Sequence, residues 1–161
     1  TQWQLDPPKI NDERVHLTWL SPTGDTAYGV VFFQLPRIVA FVPGGEFLHN
    51  RAADGYMEAL QEETGEATLI EKQWVDEEQA MRMEAEGGPY HIRSVMRIRG
   101  LTGWSVYAGT LRDREVNEEE LDLAVRAREA TRVGMDAAGG AEAAEQAIAG
   151  SSEKTAENPK N

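Results

Sequence analysis

Three arginines recur along Tyr90-His91-Ile92-Arg93-Ser94-Val95-Met96-Arg97-Ile98-Arg99. In a strand, where side chains alternate between faces, Arg93, Arg97 and Arg99 share one face. A guanidinium is a planar fork of donors that fits carboxylate and phosphate. The row is therefore a candidate binding site for an anion or an acidic partner. Across the turn Gly87-Gly88-Pro89 stand Arg82, Glu84 and Glu86. Opposite charges facing each other on neighbouring strands contribute about 0.2–1 kcal/mol per pair. The expected arrangement is thus a solvated ladder in which Glu84 and Glu86 neutralise the row. A recognition surface is the alternative.

A second candidate is aromatic. Tyr56, Trp74, Tyr107 and Trp104 are expected around a concave region where the first helix meets the sheet. Tyr56 and Tyr107 are its candidate binding residues, because a ring with a polar tip suits a ligand pocket. Plain core packing is the competing account, and the expected one. Other chemistry finds less support. The three histidines, His16, His49 and His91, fall in different elements with no ligand spacing between them. A zinc site needs three or four converging ligands, so no metal and no cofactor is expected. The chain has no cysteine, which excludes disulfides, thiolate catalysis and Cys-ligated metals. Neither glycine pair has the spacing or the lysine of a phosphate loop, and no Gly-x-Ser-x-Gly elbow occurs. Acidic runs such as Asp76-Glu77-Glu78 and Glu118-Glu119-Glu120 read as turns or solvated helix faces.

These residues sit in a chain of 161 residues, with 40% hydrophobic and 27% charged side chains. That length and balance fit one packed domain. The net charge of −12 repels phosphate, so no nucleic acid partner is expected. The longest apolar run, Ile38 to Pro43, is far below the roughly 20 residues of a membrane span.

The elements that position the candidates follow from periodicity. Residues 1–13 contain Pro7-Pro8 and read as an extended arm, with Trp3 and Leu5 able to pin it. Arg14–Leu20 alternates as a strand. Ala27–Leu35 is aromatic and β-branched and pairs with it antiparallel. Ile38–Val42 reads as a short strand or a buried loop. Glu46–Thr64 repeats apolar residues at helical spacing and meets a C-terminal cap at Gly65. Gly55 in its middle offers a place for a break. Strands then run over Ala67–Val75, Gln79–Glu86, Tyr90–Arg99 and Trp104–Arg112. Asn117 caps a second helix, with Glu120 completing a capping-box spacing. Residues 135–161 are rich in Ala, Gly, Glu and Ser and are expected to be a disordered tail. Trp19, Phe32, Trp74, Met83, Ile92 and Trp104 are the expected core. The fold class is α+β: an antiparallel sheet of about six strands with two helices packed on it, over residues 14–134.

This order of elements resembles the PsbP-like family. The features behind the resemblance are the apolar strand at Tyr28–Leu35, the glycine-linked strands across Ala80–Leu111, and the acidic N-capped helix from Asn117. The resemblance covers roughly Arg14 to Gly134. It implies a non-enzymatic binding or assembly domain whose partner is another protein. The alternative is a helix-over-sheet protein that binds a small molecule, with hydrolysis as the added chemistry. The start at Thr1, the lack of cysteine and the habits of the family lead to an expectation of a bacterial exported or envelope-associated protein. A deep aromatic-lined cavity with converging polar groups separates the two functional readings, because the assembly reading expects a closed helix–sheet interface.

Overall fold

Alternating residues make strands here, and their register decides which side chains meet. The computed structural model describes residues 2–11, 14–41 and 44–133. Two short strands of the arm, β1 (Gln4–Leu5) and β2 (Lys9–Ile10), both pair with β3 (Arg14–Leu20). β3 pairs with β4 (Thr26–Gln34) across the turn at Ser21–Asp25. The other strands are β5 (Ala67–Val75), β6 (Ala80–Gly87), β7 (Tyr90–Arg99) and β8 (Thr102–Leu111). All pairings are antiparallel, in the order β1-β3-β4-β8-β7-β6-β5. The sheet thus has the six expected strands plus the two arm strands.

Helix α1 (Glu46–Thr64) is continuous through Gly55. It ends at Gly65, whose left-handed φ of 85° lets its N–H reach the Gln61 carbonyl at 2.9 Å. Helix α2 (Glu118–Ala130) starts at Asn117, whose Oδ1 accepts from the Glu120 amide at 3.1 Å. The Glu120 side chain does not close a capping box. It accepts instead from the Thr23 amide at 3.3 Å and the Thr23 hydroxyl at 2.7 Å, which ties α2 to the β3–β4 turn. The described part of the stretch expected as a short strand or buried loop is instead a largely exposed 3-10 turn over Arg37–Phe41, closed by the Val39 amide on the Pro36 carbonyl at 2.9 Å.

The helices lie on opposite faces. α1 packs on β5, β6 and β7, and α2 packs on β8 and β4. Under α1, Met81 and Met96 face each other in register, and with Met83 and Ala53 they form the core cluster. On the α2 side, Val30, Val106, Ala108 and Trp104 are buried. Of the expected core, Met83 and Trp104 are buried, whereas Trp19, Phe32, Trp74 and Ile92 are half-buried. For Ile92 the reason is specific: it lines the groove beside α1, described below.

Residues 1–130 form one compact unit, and residues 131–161 fall outside it. Of the latter, Thr131–Val133 carry no regular secondary structure. The tail expected over 135–161 lies outside the described residues. Among the described residues, no helix is long and apolar enough to cross a membrane.

Candidate functional site

The part of the α1 face that α1 leaves uncovered is a groove of about 590 Å³. Its floor comes from β3, β4, β7 and β8, and its wall from α1 and the arm. Two glycines in register shape the floor. Gly29 on β4 is paired with Tyr107 on β8, and the tyrosine ring lies where a Gly29 Cβ would stand. A strand glycine of this kind permits one residue to lie flat over its neighbour. Gly109, paired with Ala27 and Ile92, has nothing over it closer than 3.7 Å to a built Cβ. The floor there is open.

Laid across Gly29, Tyr107 reaches β3. Its hydroxyl stands 2.7 Å from His16 Nε2 and 3.1 Å from Thr18 Oγ1, and those two atoms are 3.0 Å apart. These three polar groups converge on an otherwise apolar floor of Val31, Ile92 and Ala27. Burial pushes the His16 pKa down, with Lys9 adding to the shift and Glu63 opposing it. His16 is therefore neutral at pH 7. Burial also pushes the Tyr107 phenol up to about 12, and the Tyr56 phenol higher still. Both remain protonated hydrogen-bonding groups. Among the described residues, no carboxylate hydrogen-bonds His16, so the trio lacks the orienting acid of a His-based catalytic system. What it offers is hydrogen bonds in a partly dry place.

Charged groups rim the groove. Lys9 of the arm meets Glu63 of α1 at 3.9 Å, and Asp25 meets Arg114 at 2.9 Å. Arg14, in register with Phe33, and Arg51 on the first half of α1 also line it. Their guanidinium groups have no partner among the described residues.

The sequence candidates divide between the two faces. Tyr56 and Tyr107 both line the groove. Trp74 packs beside it, against the core cluster and 4.7 Å from the His49 ring. Trp104 is on the opposite face, under the α2 side. Residues 104 and 107 are an odd number apart on one strand, so they cannot share a face. The expected aromatic quartet is corrected on that ground.

Arg93, Arg97 and Arg99 do share a face, the one that carries α2, but each goes to a different place. Arg97 pairs with Glu78 at 3.9 Å. Arg99 donates to the Gln79 and Ile98 carbonyls and sits 6.0 Å from the centre of the Trp104 ring. Arg93 lies by α2, with its carbonyl accepting from Arg128 and its Nη1 buried without a hydrogen-bond partner among the described residues. The expected counter-ions are also corrected. Glu84 takes His91 at 2.6 Å, and Glu86 takes Arg112 at 3.0 Å. Register places His91 opposite Glu86 and one step diagonal to Glu84, so the histidine reaches both carboxylates before the arginines do.

The three histidines occupy three separate settings. His16 is in the groove and His91 is on the α2 face. His49 is buried under α1, with Nδ1 on the Gly45 carbonyl at 2.8 Å and Nε2 accepting from the Ile98 amide at 3.1 Å. Among the described residues, no group of three His, Asp or Glu is placed to hold a metal.

The sequence reading missed His16, Thr18, Arg14 and Arg51 as groove residues. The signal for the first two was Gly29, an isolated glycine inside an apolar strand, which marks a close approach. His16 and Thr18 alternate on the strand that pairs with it.

No family model matches the sequence, and no curated protein does. Among solved structures, the chain is similar in fold to cyanobacterial PsbP (CyanoP) from Synechocystis sp. PCC 6803. The TM-score is 0.47 and the identity 10%, over 73% of this chain and 81% of that one. The likeness is one of fold.

Proposed function

We propose that this protein binds a small, largely apolar molecule in the groove between α1 and the uncovered half of the sheet. The observation that carries the reading is the groove itself, whose apolar floor has one convergent polar trio, His16, Thr18 and Tyr107. Its volume of about 590 Å³ falls in the roughly 300–1,000 Å³ range of ligand sites. The assembly reading expects a helix–sheet interface without such a space, so the groove favours the small-molecule reading of the two.

The trio has a definite part in this. Burying a ligand's polar atom without a partner costs on the order of 1–3 kcal/mol. A ligand with one hydroxyl, carbonyl or amide along its body recovers that cost at His16, Thr18 or Tyr107. An apolar body alone is bound less selectively.

The test uses N-phenyl-1-naphthylamine, a neutral apolar probe that brightens when it leaves water. The native protein is expected to brighten it saturably, with one site per chain. Gly109→Leu fills the open floor and should abolish the signal while the circular dichroism stays native. Ala59→Phe, which narrows the groove from the α1 wall, is the independent second variant. A probe signal unchanged in both variants would exclude the groove as the binding site.

A further inference from the structure

The groove's charge pattern narrows the ligand further. Alternate residues of β3 on the groove face are Arg14, His16, Thr18 and Leu20. Two residues of a strand span about 7 Å, so this face presents a cation, a polar pair and an aliphatic residue in steps of that length. The wall adds Arg51 from α1. Of the acidic residues lining the groove, Glu63 is taken by Lys9 and Asp25 by Arg114. Setting those pairs aside leaves two guanidinium groups against the single carboxylate of Asp6. With those pairs set aside, the charge left in the lining is net positive, in a chain of net charge −12.

We infer that the ligand is an elongated amphipathic anion, a carboxylate on an aliphatic or aromatic body, whose charged end meets Arg14 and Arg51 while the body lies over Val31, Ile92 and Gly109. This rests on the small-molecule reading of the groove and adds the sign and place of the charge. The physical reasons are complementary. The guanidinium groups are planar donors with no ion pair among the described residues, so an arriving carboxylate breaks none of the described pairs. The apolar floor supplies the non-directional part of the affinity. A cationic amphiphile of the same length meets repulsion at the same end. A neutral one gains the floor but not the charge-assisted hydrogen bonds.

The experiment is competition below the critical micelle concentration. Dodecanoate, dodecanol and dodecyltrimethylammonium each displace N-phenyl-1-naphthylamine from the native protein and from Arg14→Gln/Arg51→Gln. Dodecanoate is expected to compete at least about tenfold better than the other two. The double variant should erase that preference. The single variant Arg51→Gln, on an exposed helix position, should reduce it by itself and stands in if the double variant folds poorly. Raising salt should weaken dodecanoate more than dodecanol, since exposed charges are screened. Equal competition by all three, or better competition by the cation, would overturn the inference while leaving the groove reading in place. A dodecanoate preference that survives in both arginine variants would also overturn it. Failure of the neutral probe to bind at all would instead defeat the groove reading on which it rests.

Discussion

The two faces of the sheet solve one problem differently. Seven strands at about 4.8 Å spacing span roughly 29 Å, and a helix with its side chains covers about 10–12 Å. One helix per face leaves part of each face uncovered. On the α2 face the remainder over β6 and β7 is charged: Arg82, Glu84, His91, Glu86 and Arg97, tied by pairs such as Arg82 with Glu129 at 2.7 Å. Water and ion pairs complete that part, while Val15, Leu17 and Trp19 of β3, on the same face, are half-buried. On the α1 face the remainder is a floor of Val31, Ile92, Gly109 and Ala27 around the His16, Thr18 and Tyr107 trio. Charged groups such as the Lys9–Glu63 pair stand at its rim, and the glycine keeps the floor low. An uncovered surface that stays apolar and recessed is where a ligand gains most.

The largest effect should separate the covered and uncovered parts of the α1 face. Met81 is fully buried against Met96 and Ala53, whereas Ile92 stands on the groove floor half-buried. Met81→Ala should cost about 2–5 kcal/mol in denaturant unfolding. Ile92→Ala should cost about 1 kcal/mol, because water or ligand space already lies beside it. Equal costs would mean that the groove is closed in solution, and the comparison would fail.

The next effect tests the floor itself. Gly29→Ala forces a methyl into the Tyr107 ring and should destabilise by about 1–3 kcal/mol, as overpacking does. Gly109→Ala meets only ordinary contacts and should stay within about 0.5 kcal/mol of the native protein. Thermal melts of the two variants suffice. A neutral Gly29→Ala would show that the Tyr107 ring does not lie across β4, and the trio with His16 would lose its basis.

Much of this was legible in the sequence. The alternation of Arg14–Leu20 and Tyr90–Arg99 and the helical repeat of Glu46–Thr64 locate elements to within a residue or two, because local periodicity records burial. Gly65 and Asn117 mark helix ends by backbone chemistry that is local too. The groove was not legible as a whole. It depends on which strands α1 covers, and on β4 lying beside β8, some seventy residues away along the chain. Tyr56 and Tyr107 both line the groove, yet Trp104 was joined to them against its own alternation. The Arg row's counter-ions were misplaced for a similar reason: adjacency in strand order does not say which of His91 and Arg93 reaches a carboxylate first.

A smaller effect contrasts the two histidines of the α1 face. Burial lowers the pKa of His49 below 6.5, with Arg99 and Arg97 adding to the shift against the Gly45 carbonyl, and burial likewise lowers His16. A base with a lowered folded pKa binds fewer protons when folded. Its contribution is present above pH 6.5 and is lost as the pH falls below that value toward the folded pKa. Melting temperature should therefore fall as the pH drops through this window. His49→Gln keeps a donor and an acceptor near Gly45 and Ile98 without a charge to gain, so it should flatten part of that limb. A second loss is expected at lower pH on the α2 face, where the hydrogen bond from Arg82 holds the Glu129 carboxyl down at about 2. Its stabilisation is present above about 4.5 and declines as the pH falls toward 2.

The smallest effect belongs to the arginine row, and it asks whether the α2 face is finished. Arg97 reaches Glu78 at 3.9 Å, near the limit of an ion pair, from a mostly buried side chain on central β7. Replacement by Gln keeps part of that side chain and removes the charge. The Arg97 side chain is only 13% exposed, so Arg97→Gln should cost more than a fully exposed pair, up to about 1 kcal/mol. Arg82 is the internal contrast, since its two forks meet Glu129 at 2.7 and 2.8 Å and Glu78 at 3.1 Å. Bidentate geometry restrains both partners and raises the value of the pair, so Arg82→Gln should cost more than Arg97→Gln in the same buffer. The ordering should shrink with added salt, because both pairs are partly exposed. Neither substitution should alter binding of the neutral probe, since both residues lie on the far side of the sheet from the groove. A change in probe affinity from Arg97→Gln would couple the two faces and undo the division between a finished surface and an open one.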